Sequence, residues 1–324
     1  MVATALLMAV AALGATRFPP PARLSRRAAS IGGGCAAVLG RRLFPAPPAL
    51  AAAAPPLCDA DVSVLTSSSG RQFVIVGTAH VSKESATLVR QVIRYVRPDT
   101  VMVELDRRRA NQLMRKAKAR ERGELVVASS AIAPPGEQSR GAAFYKSLDN
   151  MGFPAGGEFV AAIEEARLLN ATILLGDQDF NVTSQRLKEA QAEVRRLRAE
   201  GIISREDAKA AADRVPSSLR SREGGAPLTA DSVAQMTTDL KQRENARAVV
   251  AYLKEAAPPV YDAMIGERDL HMAHALEAAA GNSIVAVVGL SHLEGIERIL
   301  AEEVEVRPRS CTLPPSLGIL SASR

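Results

Sequence analysis

Short apolar runs separated by amphipathic segments recur between residues 62 and 307. Four of them have the length and flanking residues of buried strands, namely 71–76, 100–103, 171–175 and 284–288. Between the first two, residues 83–96 carry apolar side chains at helical spacing, as a helix packed on a sheet would. This strand–helix–strand unit should cross over right-handedly and bring its strand ends side by side. The pattern predicts an α/β fold with a parallel or mixed central sheet flanked by helices.

Helical periodicity also covers the segments between the later strands. The predicted helices span 110–122, 158–169, 185–214, 231–255 and 261–280. The segments 185–214 and 231–255 are long and charged, and we expect them to form a helical hairpin beside the sheet. This hairpin would be an insertion of about residues 185–256 in a domain extending from 59 to 307. We expect its first helix to be peripheral to any site on the sheet.

The first 58 residues differ in composition from the rest of the chain. An apolar run over residues 1–14 precedes a segment rich in arginine and serine and free of acidic residues. Such a signal-like region followed by a transit-like region resembles a bipartite presequence, as in algae whose plastid lies inside the secretory route. We predict a disordered plastid (chloroplast) presequence over 1–58, cleaved between Ala46 and Asp59. The alternative is a mitochondrial leader or a disordered tail, and we also expect residues 308–324 to be disordered.

Charge and composition exclude several classes of partner. Six of the 41 Lys and Arg residues lie in the first 58 residues, which leaves 35 basic and 35 acidic residues in the remainder. A neutral body with 3% aromatic residues and no tryptophan gives no basis for nucleic-acid binding. Beyond the leader no apolar stretch reaches the 18 or so residues of a membrane span, so we expect no transmembrane segment in the mature chain. The three cysteines indicate neither a disulfide framework nor a cysteine zinc site.

A Gly-x-x-His pattern occurs twice, each time directly after an apolar strand. VIVGTAH places Gly77 and His80 after the first strand, and AVVGLSH places Gly289 and His292 after the last. Ligands bind at the carboxyl ends of strands in α/β sheets, and glycine lets the backbone turn there without a Cβ clash. We therefore expect both histidines to project at one rim of the sheet.

Acidic residues follow the other two predicted strands. TVMVELD ends in Glu104 and Asp106, and TILLGDQD ends in Asp177 and Asp179. Imidazole and carboxylate groups from four strand ends suit a divalent transition metal with an open position for water. Taken singly, each residue is better explained as a helix cap or as a partner of the arginines at 107–109. Taken as a set, they favour a site.

Several sequence blocks follow one another in the order of a known family. They are GTAHVSKES, PDTVMVELDRRR, GGEFVAAIEEA with LLGDQDFNVT, and ERDLHMA leading into VAVVGLSHLEGI. Over residues 62–305 the chain resembles the TraB family (the TraB/PrgY and GumN group). This family is related to the Tiki metalloproteases and more distantly to erythromycin-esterase-like and ChaN-like proteins. The resemblance implies an α/β core of that type, with catalysis or ligand binding at the two Gly-x-x-His motifs.

By position, the resemblance assigns six residues to one site. The implied metal ligands are the two motif histidines and one glutamate from each of two blocks: His80, His292, Glu104 and Glu158. The implied catalytic residues are those glutamates and two arginines: Glu104, Glu158, Arg109 and Arg268. The expected cofactor is a divalent transition metal (Mn, Co, Zn or Fe), held at about 2.0 to 2.2 Å. Gln178 stands where the family usually has a basic residue, which weakens any anion clamp there.

Two further histidines occur in ERDLHMAHAL. Glu267, His271 and His274 have the helical spacing of a local metal site. We favour an amphipathic helix in which Arg268 and Met272 face the core or the site and both histidines face solvent, because the resemblance does not require the histidines.

Two classes of function fit these features. In the first, the chain is a metal-dependent hydrolase that cleaves a peptide or small-molecule substrate at an amide or ester bond, with a glutamate as general base. In the second, it is a non-catalytic regulatory module of the TraB type that binds a peptide or another partner. A bound divalent metal with a vacant coordination position would separate the two classes.

Overall fold

A sheet of five strands, with a two-residue strand at one edge, forms the centre of the protein. In this computed structural model the described residues are 56–79, 83–122, 156–220, 229–303 and 307–308. The strands are β1 Val62–Thr66, β2 Gln72–Thr78, β3 Thr100–Val103, β4 Thr172–Leu175, β5 Ser283–Gly289 and β6 Arg307–Pro308. Their order across the sheet is β4-β3-β5-β2-β1-β6.

The inner part of this sheet is parallel and one side of it is antiparallel. Strand β5 is parallel to both β2 and β3, and β3 is parallel to β4. Strands β1 and β6 run antiparallel to their neighbours. The predicted α/β fold with a parallel or mixed sheet is therefore confirmed, and β1 adds a strand that the hydrophobic pattern did not predict.

Helices cover both faces of the sheet and form a further region beyond it. They are α1 Lys83–Val96, α2 Arg107–Glu121, α3 Gly157–Leu168, α4 Phe180–Ala199, α5 Arg205–Asp213, α6 Ala230–Leu240, α7 Arg243–Ala256, α8 Pro258–Tyr261, α9 Glu267–Glu277 and α10 Leu290–Glu303. A π-helical turn, Asp262–Gly266, joins α8 to α9, and single 3-10 turns occur at Pro56–Cys58 and Ser217–Leu219.

Successive residues of each strand face opposite layers, as the pleat of a strand requires. In β2, Val74 and Val76 pack in a core with α1 and α3. The intervening residues Phe73 and Ile75 pack in a second core with α9 and α10. Because both faces of the inner strands are covered, these strands are continuous apolar runs, which is what made them visible in the sequence.

Strand β5 separates the two strands that we expected to be neighbours. The ends of β2 and β3 are parallel, but the prediction that they lie side by side is wrong. Val287 of β5 pairs with Val76 on one side and with Val103 on the other. This central position suits a strand that is buried from Ile284 onward. As a consequence, Thr78 pairs with Gly289, and the strands that carry the two Gly-x-x-His motifs are adjacent.

The predicted helical hairpin consists of four helices instead of two. The segment 185–214 is divided between α4 and α5 at Gly201, whose φ of +73° is easily adopted only by glycine. The segment 231–255 is divided between α6 and α7. These helices enclose a separate core with α8 and the π-turn, whose members include Val194, Leu253 and Val260. The helix Phe180–Ala199 packs against the turn that leads into α9. That residues 185–214 are peripheral to the site stays a prediction.

The ends of the chain fall largely outside the described residues. The 3-10 turn Pro56–Cys58 packs on the sheet layer through Leu57. Cys58 is disulfide-bonded, which three widely spaced cysteines did not lead us to expect, and its partner cysteine lies outside the described ranges. Residues 1–55 and 309–324, with most of the predicted presequence and tail, also lie outside them. No helix in the described part is long and apolar enough to cross a membrane.

Candidate functional site at the carboxyl ends of the strands

Charged side chains meet where β3, β4 and β5 end. Glu104 directly follows β3, Asp177 follows β4 by two positions and His292 follows β5 by three. Arg268, from the first turn of α9, reaches the same place. All four are buried, with exposed fractions of 2% for Glu104 and Arg268, 5% for Asp177 and 0% for His292. Burial of this kind requires that each charge be paired and each polar atom be hydrogen-bonded.

The guanidinium of Arg268 is the centre of the cluster. Its Nη2 donates to Glu104 Oε1 and to Asp177 Oδ2, both at 2.6 Å, and its Nε donates to Asp177 Oδ1 at 2.9 Å. Its Nη1 donates to the backbone carbonyl of Met264 at 3.0 Å, within the π-turn. The two-point contact with Asp177 is the bidentate geometry that the planar guanidinium favours. Arg268 therefore joins the ends of β3 and β4 to the helical region.

His292 lies in the first turn of α10 and not in a loop, because the helix begins at Leu290 immediately after β5. Its Nδ1 is 2.5 Å from Asp269 Oδ1. Its Nε2 is 3.0 Å from Arg268 Nη1 and 3.5 Å from Glu104 Oε1. Since a guanidinium only donates, Nε2 must accept, and the proton of a neutral imidazole is then on Nδ1, where it is donated to Asp269.

Glu104 is held from two sides. Its Oε2 accepts a hydrogen bond from the backbone N–H of Gly289 at 2.6 Å, and its Oε1 accepts from Arg268. Gly289 immediately precedes α10, so this carboxylate also faces the positive end of the helix dipole. Strand β5 and α10 thereby fix the position of a side chain that comes from β3.

Arg109 extends the cluster towards α2 and α4. It donates to Asp177 Oδ2 through Nη2, and its Nε donates to Asp106 Oδ2 at 2.6 Å. Asp106 also caps α2, since its Oδ1 accepts from the backbone N–H of Arg109 at 2.8 Å, and its Oδ2 accepts from the N–H of Phe180 at 3.2 Å. Asp106 thus has both roles that we considered, as a helix cap and as an arginine partner. Asp177 is shared between two arginines.

The ionisation of the cluster follows from burial and from these partners. Burial alone would raise the pKa of Asp177, but the guanidinium groups of Arg268 and Arg109 hold it below its usual value. Burial alone would lower the pKa of Arg268, but Asp177 and Glu104 raise it instead. The pKa of Asp269 is raised by burial, although His292 opposes this shift. Asp177 and Arg268 are accordingly a charged pair inside the protein.

The structure describes one of the two remaining predicted metal ligands. Glu158 is completely buried in the first turn of α3 and is not among the hydrogen-bond partners of Arg268 or His292. His80 lies outside the described residues, so its place next to His292 remains a prediction. That prediction is consistent with the pairing of β2 with β5, which ends with Thr78 opposite Gly289.

Gln178 occupies the position where this chain departs from the family pattern. It donates its backbone N–H to Asp177 Oδ1 at 2.8 Å. The contact comes from the main chain, so it does not depend on which side chain occupies this position. The basic group that the family usually has here is absent, and Asp177 is neutralised by Arg268 and Arg109 instead.

The two histidines of α9 lie on its outer face, as predicted. His271 and His274 are exposed, whereas Met272 and Arg268 are buried on the inner face. The predicted amphipathic helix, with Arg268 and Met272 inward and both histidines outward, is therefore confirmed.

Asp269 is a residue of the cluster to which the sequence analysis assigned no role in the site. It is 2% exposed, and its carboxylate fixes the orientation of His292. Gly295 on α10 makes room for it, because a Cβ added there would overlap Asp269 Oδ2. The sequence did contain a signal, since Asp269 lies within the same block as Arg268. Its partner, 23 positions away in the sequence, is visible only in the fold.

Two donor atoms of the cluster suit a divalent metal. Glu104 Oε1 and His292 Nε2 are of the right kind, and their separation of 3.5 Å suits two ligands that each bind at about 2.0 to 2.2 Å. Both atoms also accept hydrogen bonds from Arg268. Within the described ranges, no group of three or more His, Cys, Asp or Glu side chains is arranged to hold a metal. These two residues fit a metal in donor type, and a complete ligand set needs a further donor.

The fold and the site define an α/β protein with a buried arginine–carboxylate–histidine cluster at the ends of its parallel strands. Residues 64–305 match the TraB/PrgY/gumN family. This match covers most of the chain, and the protein belongs to that family, as its sequence blocks predicted.

Similar proteins occur in distant organisms. The chain is 30% identical over 235 residues to an uncharacterized protein of Methanocaldococcus jannaschii, a match that covers 70% of this chain and 52% of that protein. It is 26% identical over 289 residues to a TraB domain-containing protein of Homo sapiens, with 79% of this chain and 70% of the relative covered. A TraB domain-containing protein of Bos taurus is 25% identical over 284 residues, with 79% and 69% covered. The chain thus spans about half the length of the first of these relatives.

Proposed function

We propose that this protein is a hydrolase of amide or ester bonds, peptidase-like in its chemistry, that acts at the buried cluster of β3, β4, β5 and α9. One observation carries the proposal. His292 is oriented through Nδ1 by Asp269, and its Nε2 lies 3.5 Å from the carboxylate of Glu104. An imidazole held by a carboxylate on one nitrogen, with its other nitrogen close to a second acid, is suited to moving a proton or to ligating a metal.

Each residue of the cluster has a defined part in this proposal. Asp269 fixes the imidazole tautomer, which makes Nε2 the basic nitrogen. Arg268 keeps the carboxylates of Glu104 and Asp177 in position by pairing with both. Arg109 supports Asp177 from the other side. Burial of the cluster keeps water from competing for these hydrogen bonds.

We further propose that the cofactor is a divalent transition metal, held by His80, His292, Glu104 and Glu158. Of these, His292 and Glu104 have suitable donor atoms at a separation of 3.5 Å. When bound, the metal would supply a Lewis acid and lower the pKa of a bound water. The metal would compete with Arg268 for these two atoms, because the nitrogen of His292 and the oxygen of Glu104 both accept hydrogen bonds from Arg268.

The test compares His292→Gln with His271→Gln, a control on the exposed face of α9. Purified full-length protein is assayed for metal by mass spectrometry and for hydrolysis of a panel of peptides and esters. We expect bound Mn, Co, Zn or Fe and measurable hydrolysis in the wild type, and a fall of about a hundredfold or more in rate for His292→Gln only. Equal rates for both variants would contradict the proposal.

The second candidate is a non-catalytic binding module, and one observation favours it. Both nitrogens of His292 and both oxygens of Glu104 already have partners inside the protein. A network that is satisfied in this way also suits a structural role. Protein that contains no metal and cleaves nothing in the panel, yet binds a peptide, would establish this alternative.

The destination of the chain is a separate proposal. We propose delivery to a plastid by the presequence over 1–58, with the mitochondrion as the alternative. Pro56 to Cys58 are the first described residues, and Leu57 already packs on the core. Amino-terminal sequencing of the mature protein from its native organelle should find a start between Ala46 and Asp59, and a start within β2 would contradict the proposal.

A further inference from the structure

A cleft of about 340 Å³ lies beside the buried cluster, between α7, the helical segment from Tyr261 to Asp269, and α10. This volume is within the range of small-molecule and peptide sites. The cleft meets the cluster at Asp269, whose carboxylate is hydrogen-bonded to His292 through Oδ1. It lies between the helical region and a helix of the sheet layer, which is a common place for ligand sites.

The lining of the cleft combines apolar residues with more basic than acidic ones. Val250, Ile265 and Leu290 are among the apolar residues. The basic residues are Arg243, Arg247, Lys254 and Arg298, against the two acids Asp269 and Glu294. A ligand that fits this lining has an apolar group and an anionic group.

The cations differ in how far they are already neutralised. Among the described residues, Arg247 pairs with Glu294 through Nε, and its two terminal nitrogens have no partner there and are offered to a ligand. Lys254 forms no ion pair within the described part of the chain, and its ammonium lies 4.8 Å from the centre of the Tyr261 ring. Arg247 and Lys254 are seven positions apart on one face of α7. A ligand carboxylate between them would form an ion pair with both.

Two buried polar atoms of the lining have no hydrogen-bond partner among the described residues. They are Nε of Arg243 and Oγ of Ser291. Such atoms are uncommon in folded proteins, and a bound ligand or water is the usual explanation. Both residues line the cleft, Arg243 from α7 and Ser291 from the first turn of α10.

Asp269 adds an acceptor to these donors. Asp269 lines the cleft, and its Oδ1 is hydrogen-bonded to His292. An N–H group of a ligand placed against Asp269 would gain a hydrogen bond. A phosphate or a fatty acid has no N–H group, whereas the end of a peptide has an amide N–H close to its carboxylate.

We propose that this cleft binds the carboxyl-terminal end of a peptide. The terminal carboxylate pairs with Arg247 and Lys254, the last side chain lies against Val250 and Leu290, and an amide N–H faces Asp269. The proposal deepens the proposed peptidase-like function, since it names the carboxyl-terminal end of a peptide as the part that is bound, and it rests on that function for the step from binding to cleavage. Binding itself is measured without turnover.

The test is titration calorimetry on the full chain with tripeptides ending in alanine or leucine, each as the free acid and as the carboxyl-terminal amide. We expect saturable binding of the acid and about tenfold weaker binding of the amide, as loss of a charge-assisted contact implies. Butyrate, which has the carboxylate without the amide, should also bind more weakly. Lys254→Gln and Arg247→Gln should weaken binding of the acid and have little effect on the amide.

Lys188→Gln is the matched control, because Lys188 is exposed on α4 and does not line the cleft. Equal affinity for acid and amide, no saturable binding of either, or an equal effect of Lys188→Gln would overturn the proposal. Binding of the acid without any hydrolysis keeps the cleft and removes the proposed hydrolase. Hydrolysis at equal rates for acid and amide keeps the hydrolase and removes the cleft.

Discussion

Two consecutive residues of α9 form ion pairs in opposite surroundings, one on the outer surface and one in the inner cluster. Glu267 points outward and pairs with Arg186 of α4, where the two side chains are 33% and 47% exposed. Arg268 points inward and pairs with Asp177 and Glu104, where the exposed fractions of all three side chains are 2% or less. The two ion pairs have similar chemistry but contrasting surroundings.

The solvent exposure of each ion pair determines how much it contributes to the stability of the fold. An exposed pair gains little, because water already solvates both charges and the side chains lose freedom when they pair. A buried pair is not necessarily a net gain, but removing one partner leaves a charge without water or counterion. The stability of the fold therefore depends far more on Arg268 than on Arg186.

Removing the cation of the inner cluster should have the largest effect on the free energy of unfolding. Arg268→Met should lower the free energy of unfolding by about 3 to 5 kcal/mol, because Asp177 and Glu104 lose their main cation inside the protein. Denaturant unfolding at neutral pH measures the change. The pKa of Asp177 should then rise, so the loss relative to wild type should shrink as the pH falls and the carboxyl groups become neutral.

The matched control is Arg186→Met, which removes the outer pair and should change unfolding little. Similar losses for the two variants would show that the inner cluster is not the main electrostatic constraint of the fold.

The next largest effect should come from a substitution that changes the space around Asp269 and leaves all charges in place. Gly295→Ala places a methyl group in the space of Asp269 Oδ2, so the carboxylate must leave its position beside His292. We expect a loss of about 1 to 3 kcal/mol in the free energy of unfolding, as for other overpacked sites. The proton on His292 Nδ1 should also lose its hydrogen-bonded NMR signal.

Gly266→Ala provides the control in the π-turn, where the nearest atom to an added Cβ is 3.5 Å away. This substitution should be neutral or stabilising by up to about 1 kcal/mol, because alanine favours helix more than glycine does. An unchanged His292 signal in Gly295→Ala would mean that Asp269 does not depend on this glycine.

The smallest effect concerns Asp61, which precedes β1 at the rim where β2 ends. Burial raises its pKa to about 6, Asp59 adds to the shift, and Lys241 and Arg243 oppose it. Its Oδ1 is buried and has no hydrogen-bond partner among the described residues. Since the folded state favours the protonated form, stability should fall as the pH rises from about 4 through about 6.

Asp61→Asn should remove this dependence. We expect the variant to be more stable than wild type above pH 6 by about 1 kcal/mol, a value reduced to allow for the partial exposure of Asp61. The two proteins should converge below about pH 4. Unfolding curves across this range provide the measurement, with Asp231→Asn, an exposed aspartate in α6, as the control. A constant difference at all pH values would rule out titration of Asp61 as the cause.

Much of the fold could be predicted because it is recorded locally in the sequence. The apolar runs of β2, β3 and β5 are buried on both faces, so their pattern is clear without knowledge of their neighbours. The Gly-x-x-His motifs and the order of the blocks likewise indicated the family. Strand β1 was missed because only Val62 and Leu65 of its five residues are buried, so it is not a continuous apolar run.

The order of the strands and the partners of the site residues were decided by the tertiary structure. Nothing local in β5 shows that it pairs with both β2 and β3, since this depends on contacts between distant segments. The same holds for the pairing of Asp269 with His292. Position within a block shows that Asp269 belongs near a site, whereas the room beside Gly295 exists only after α9 packs on α10.

The sequence by itself determined the α/β class, the family and the strand ends at which charged residues gather. Only the tertiary structure decided that Arg268 stands between Glu104 and Asp177 and that the carboxylate of Asp269 orients His292. The physical reason is that hydrophobic periodicity records which side of an element is buried. A buried charge, in contrast, is specified by the partners that the fold brings within hydrogen-bond distance.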